Sequence, residues 1–293
     1  MSTSAARSLL AGAIDYAGLF PPASLPMREA VRNYAAYRVS PDAWALGHFV
    51  VPIGRLAELR QSAADLLPSA GEPPWHLSAI VGSVGAVDCS AFGALEGTGV
   101  AVDAVEVRVR VPEDLATVAA GLPRGVDIFY EFPVESDPAP FIAAIRRVGG
   151  NAKVRTGGVT ADAFPSVADL ARFIVACARS AVPFKATAGL HHPFRALYRL
   201  TYAPDSPTGE MFGFVNVLLA AALARAGTPQ SKVAELLGER DTNAVRFSPA
   251  GADWRGHRVS ADSIAETRGT LALSFGSCSF REPLDELRTL GLL

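Results

Sequence analysis

Eight short apolar runs, each bounded by glycine, proline, asparagine or aspartate, alternate with helical patterns along 293 residues. They predict an α/β chain folded as a closed (β/α)8 barrel. Two absences narrow this reading. No GxGxxG follows an early strand, which sets aside a doubly wound open sheet. No repeat, low-complexity tract or linker-like charge run divides the chain, which reads as one domain over residues 1–293.

Taken in order, "AIDYAGLFPPASLP" (13–26) reads as a proline-stiffened arm and "MREAVRNYAAYR" (27–38) as an extra N-terminal helix antiparallel to the first strand. The strands follow: "GHFVVP" (47–52), "HLSAIVG" (76–82), "DAVEVRV" (103–109), "DIFYEFP" (127–133), "AKVRT" (152–156), "PFKAT" (183–187), "AVRFS" (244–248) and "LALSF" (271–275). Among the helices, "PEDLATVAAGL" opens on proline and acids, and "PAPFIAAIRRVGG" ends in glycines. In "SVADLARFIVACARS", Ser166 is the expected cap, with Asp169 three residues on. "GEMFGFVNVLLAAALARAG" is helical throughout.

Composition excludes several classes of function. A formal net charge of -2 leaves no footprint for nucleic acid or an anionic membrane surface. The N-terminus is too short in apolar residues for a secretory core. The longest apolar run falls below the roughly 18 residues needed to span a bilayer. A cytoplasmic enzyme is expected, with a small molecule as its partner and a second copy of the chain left open. Cys89, Cys177 and Cys278 form no CxxC pair, so reduced thiols are expected rather than a disulfide framework or zinc cluster.

Of the 27 basic residues only Lys153, Lys185 and Lys232 are lysines. Where arginine serves nearly every surface cation, the remaining lysines are candidates for roles that need an amine. Alternation in the strands puts Glu106 with Arg108, Lys153 with Arg155, and Lys185 with Thr187 on inward faces, with Glu131 at a strand end. Val105, Val107, Val154, Phe184 and Ala186 then face the helices. Four neighbouring strands thus offer Glu, Glu, Lys and Lys to one another, and such charges must pair. A purely structural ion-pair network is one outcome. The other is an amine nucleophile: Lys185, tuned by Lys153 or Arg155 and assisted by Glu131 as proton shuttle, forming a Schiff base with a small polar carbonyl compound.

"FKATAG" (184–189) resembles the Schiff-base strand of class I aldolases built on such barrels, nearest the Lys-Thr-Ser-Thr-Gly pattern of deoxyribose-phosphate aldolase. Lys185, Thr187 and Gly189 stand at the motif positions. The resemblance covers about six residues. It implies a barrel and a lyase whose imine lysine lies on strand six, with an acid nearby and a second lysine on the following strand. This chain departs from that pattern on two counts: Lys153 precedes Lys185, and "AVRFSPAG" carries Arg246 where the second lysine would stand.

His191 and His192 follow the same strand, and an extended backbone sends at most one of them into the site. Either contacts substrate. Alternatively His191, His192 and Glu131 hold a divalent metal, which would make a metal-dependent aldolase or sugar isomerase; otherwise no cofactor is expected. A non-catalytic small-molecule-binding barrel is the third alternative. Asp15 and Tyr16 are expected near the mouth as substrate contacts. So are Glu106, Thr187 and the Gly276, Ser277 and Ser279 turn, the last suited to phosphate. The long loop after Pro193 reads as a lid, with Arg195 and Arg199 available to an anionic substrate. The loop after "AVRFS" adds Asp253, Trp254 and His257.

Overall fold

The computed structural model describes residues 5–69, 71–83, 92, 95, 97–122 and 124–293; Cys89 lies outside them. Eight parallel strands close into a barrel. Counting barrel strands only, they are β1 (Ile14–Tyr16), β2 (Leu46–Pro52), β3 (Trp75–Ser83), β4 (Val100–Arg108), β5 (Asp127–Glu131), β6 (Asn151–Arg155), β7 (Phe184–Thr187) and β8 (Ala272–Ser277). Each pairs with its neighbours in sequence, and β8 closes the ring on β1, with Asp15 opposite Gly276. Described helices lie between most strands, so the architecture is the α/β barrel the alternation predicts. None of the described helices is long and apolar enough to cross a membrane.

Two strands differ from the expectation. "AVRFS" is a strand, Val245–Ser248, but it pairs antiparallel with Gly251–Trp254, which pairs in turn with His257–Ser260, outside the barrel. The barrel's first strand is instead Ile14–Tyr16, inside the segment read as an arm. Three residues are too few to show an alternation, although their pattern is that of a strand: Ile14 and Tyr16 pack outward and Asp15 points in. The helix Met27–Arg38 is therefore no extra element but the crossover from β1 to β2. It is tied down by Tyr34, whose hydroxyl lies 3.2 Å from the carbonyls of Gly47 and His76. The helix that precedes the barrel is the short Ala5–Leu10. The first six expected strands thus each move up one place while the last stays eighth, and Lys153 stands on β6 and Lys185 on β7.

The β7-to-β8 connection carries the largest excursion. It contains a hairpin (Ala196–Arg199 with Thr208–Met211), helices Phe214–Arg225 and Gln230–Leu237, the three-stranded sheet, and helix Ala261–Thr270. The loop expected after Pro193 is therefore partly a hairpin, and the helix expected from residue 209 begins at Phe214. Every residue from Phe214 to Ala224 is buried, as a helix apolar on all sides requires. Its start is set by Gly213, where a Cβ would lie 2.3 Å from Phe194 Cα and Pro193 O. Asn216 then pins the excursion: its amide donates to the carbonyls of Leu236 and Glu239, and its Oδ1 accepts from Arg195 N. Ser166 caps Val167–Ser180, accepting from Asp169 N at 3.1 Å as expected.

The predicted division of faces holds. Val105, Val107, Val154, Phe184 and Ala186 are buried in the apolar layer between strands and helices, where Phe184 meets Phe173 edge-on at 5.5 Å. The barrel interior holds the charged residues Asp15, Glu106, Lys153 and Lys185, with the Phe129 ring against Lys185.

Candidate active site

A chain of alternating charges runs through the barrel from the N-terminal rim to the C-terminal rim. Lys185 lies near its middle, fully buried, its Nζ 2.6 Å from Asp15 Oδ2 and 2.7 Å from Glu106 Oε1. Asp15 is also closed on every side. Its Oδ1 accepts from His48 N at 2.9 Å and faces His48 Nδ1 at 3.1 Å, and its Oδ2 accepts from Ser274 at 2.7 Å. A Cβ at Gly47 would stand 2.4 Å from Asp15 Oδ1, so glycine is what lets this carboxylate lie against β2.

Above Lys185, Ser78 donates to Glu106 Oε1 at 2.7 Å. Lys153 Nζ bridges Glu106 Oε2 and Glu131 Oε2, both at 2.7 Å. The Glu106 contact is off the hydrogen-bond axis, so that oxygen is paired by charge without an aligned donor. Arg108 ends the chain at the rim, holding Glu131 Oε1 through Nε at 3.0 Å and Nη2 at 2.8 Å. The four inward residues expected from alternation do meet, and Asp15 joins them from β1.

These contacts set the protonation states. Burial alone would drive the Lys185 ammonium to shed its proton, but Asp15 and Glu106 outweigh it and hold Lys185 above the usual lysine range. Burial likewise opposes the Glu106 and Asp15 charges. The two lysines nonetheless bring Glu106 down to about 2, and Lys185 with His48 holds Asp15 below the ordinary aspartate range. Glu131 is lowered too: Lys153 and then Arg108 overcome its burial. Lys185 is thus a locked ammonium, the opposite of the depressed amine expected of it.

A cavity of about 210 Å³ opens at the C-terminal ends of the strands, where barrels present their reactive groups. Lys153 and Glu106 border it, with Arg155, Thr187, His191 and Cys278; Lys185 does not. The lysine expected to face substrate lies beneath the one expected to assist it. At the floor of the loop after β7 the backbone turns through Ala188 (φ 64°) and Gly189 (φ 72°). A left-handed alanine is strained by about 1 kcal/mol or more, a cost that fixed functional turns tolerate.

That turn returns His191 to the cavity wall, its Nδ1 3.3 Å from Ser277 Oγ and 3.6 Å from Cys278 Sγ. Burial, helped by His192, pulls His191 down to about 4, so it stays neutral. His192 turns away from this cavity, stacks on Tyr198 at 3.5 Å and meets Glu286 Oε1 at 2.6 Å. Burial raises the Cys278 thiol, which disfavours a thiolate nucleophile.

Several expected site residues sit elsewhere. Tyr16 faces the helix layer, packed against Phe49 and Tyr37 with its hydroxyl accepting from Asn33. Asp15 is inside the barrel, not at its mouth. Gly276 borders the cavity, whereas Ser277 is spent on His191 and Ser279 accepts from Glu282 N at the start of the last helix. Arg195 is paired with Glu210 and lies over Phe212, while Trp254 donates to Glu239 outside the barrel. Glu131 makes no metal group with the histidines, since its oxygens are taken by Lys153 and Arg108. Ser78, Ser274 and His48 were missed, though the two serines are the inward polar positions of "HLSAIVG" and "LALSF". No protein-family model matches this sequence, and no curated protein matches it.

Proposed function

We propose that this chain is a carbon–carbon lyase of the aldolase type, acting on a small polar carbonyl compound through a Schiff base on Lys153. The observation that carries this is the position of Lys153: on β6, on the wall of the C-terminal cavity, next to Glu106 and one strand from a second lysine. The resemblance at residues 184–189 implies an imine lysine on strand six and another on the following strand. With β1 counted, Lys153 stands on strand six and Lys185 on the strand after it, so the order of the two lysines suits that pattern, although Lys185, Thr187 and Gly189, which carry the resemblance, then lie on β7 rather than around the proposed imine lysine. Lys153 then takes the role of nucleophile and Lys185 that of the fixed neighbouring cation.

The chemistry follows from the contacts. Lys153 passes a proton to Glu106, and its amine adds to the carbonyl carbon. Water leaves with the carbonyl oxygen, one proton from the amine nitrogen and the one held by Glu106, giving a protonated imine. The adjacent carbon–carbon bond then breaks, its electrons moving into the imine to form an enamine. The hydroxyl on the departing carbon returns a proton to Glu106 and leaves as a carbonyl compound. Protonation of the enamine and hydrolysis free Lys153. Glu131 and Arg108 position Lys153, neutral His191 offers a hydrogen bond to substrate, and exposed Arg155 suits an anionic end of it.

Borohydride reduction in the presence of a panel of small aldehydes and ketones, followed by peptide mapping, tests this reading. A stable adduct on Lys153, absent in Lys153→Ala, is the expected result. Labelling of Lys185 would return the nucleophile to β7. No labelling, together with ligand binding at the cavity, would favour a binding barrel, the reading that the full pairing of Lys185 supports.

A further inference from the structure

We infer that His192, Glu282 and Glu286 form a binding site for a divalent transition metal ion beside the cavity mouth. Glu282 and Glu286 lie four residues apart on the helix Arg281–Thr289, hence on one face, and His192 meets them from the loop after β7. One ligand atom from each falls within 4.8 Å of the others. Ligands about 2.1 Å from a zinc ion stand about 3.4 Å apart, so the three atoms need draw together by little more than about 1 Å to hold one.

Charge supports the assignment. Several other glutamates meet cations: Glu106 and Glu131 meet lysine, and Glu58, Glu210 and Glu239 meet arginine. Among the described residues Glu282 and Glu286 have no lysine or arginine partner. Their ion-pair neighbours are His191, at 3.7 Å from Glu282, and His192, at 2.6 Å from Glu286. Two like charges at this helical spacing repel each other, and a dication relieves them where imidazole does not.

A second observation points the same way. His191 is more than nine-tenths buried, and its Nδ1, 3.3 Å from Ser277 Oγ, also stands 3.7 Å from Glu282 Oε2. It borders both the main cavity and a second one of about 240 Å³, which His192 and Glu282 also line. Three protein ligands with open space alongside is the arrangement of a metal that keeps a free coordination position. One imidazole and two carboxylates favour zinc(II) or manganese(II) over the all-oxygen surroundings of calcium. This site is separate from the lysine chemistry and stands whether or not that proposal does.

The test uses the full chain, stripped with chelator and titrated with zinc(II) alone and manganese(II) alone, followed by calorimetry and elemental analysis. About one ion per chain is expected. Glu286→Gln and His192→Ala should weaken binding at least as much as the ~10- to 100-fold caused by losing a ligand's own hydrogen-bond partner. Circular dichroism checks that the variants fold. Should they not, crystals of the unaltered chain soaked in zinc(II) give the answer by anomalous scattering, with a peak at ligand distance from His192 Nδ1 expected. Binding well below one ion, undiminished binding in the folded variants, or a peak elsewhere would overturn the site.

Discussion

The two lysines inside the barrel face each other across adjacent strands, in register, and yet stand in different surroundings. Lys185 is enclosed by Asp15, Glu106 and Ser78, beneath the ring of Phe129, whose centroid lies 5.1 Å from its Nζ. Lys153 has two carboxylates as well, but it borders the cavity. The same residue type with the same kind of partner thus serves as a fixed charge in the lower barrel and a candidate reactive group in the upper. Burial and access, more than pairing, separate the two roles.

The sharpest way to break the comparison is to remove each ammonium in turn. Lys185→Met strands two buried carboxylates and should lower stability by about 3–5 kcal/mol in urea unfolding. Lys153→Met leaves carboxylates that cavity water can reach and should lower it by about 1–3 kcal/mol. Equal losses would mean that the upper cluster is as closed as the lower. Next, Gly47→Ala pushes a methyl group into Asp15 and should lower the thermal midpoint by an amount equivalent to about 1–3 kcal/mol, without altering the Lys153 adduct.

A third prediction is confined to acid. Glu106 titrates near 4.5 when unfolded and at about 2 when folded, so over that interval the unfolded chain binds the extra proton. The stability Glu106 supplies is whole above about 4.5 and drains away as pH falls toward 2. Glu106→Gln should be less stable at neutral pH and should show a shallower decline across that window. The smallest effect belongs to His48, where burial works against the charge but Asp15 outweighs it and raises the pKa above 6.5. Its contribution is present below 6.5 and fades as pH rises through the folded value. His48→Gln should flatten that alkaline slope, measured by chemical unfolding at a series of pH values.

Much of the fold was legible because strands of four or more residues between helices carry a readable pattern, and seven of the eight barrel strands had been read as strands. Ile14–Tyr16 was too short for its pattern to register. Val245–Ser248 was a strand of the wrong sheet, though a signal was present: Arg255 and Gly256 both take positive φ in a two-residue turn between paired strands. The charged interior was legible from alternation, since a lysine in an apolar run must meet an acid. Which lysine faces open space was not, because that depends on register and depth across four strands. Nor could the sequence show that Glu282 and Glu286, so near the C-terminus, would come within reach of His192.

The ring is joined between its first strand and its last. Asp15 and Ser274, separated by 259 positions, share a hydrogen bond in the join, and Lys185 stays unbalanced until Asp15 is in place. A chain emerging from the ribosome can pair β1 through β7 in order, but it has nothing on which to close β1 from the far side until β8 has been made. Closure of the barrel and completion of the Lys185 pairing are therefore one event, and a nascent chain halted before β8 is left with an open edge and a Lys185 that has Glu106 but not Asp15.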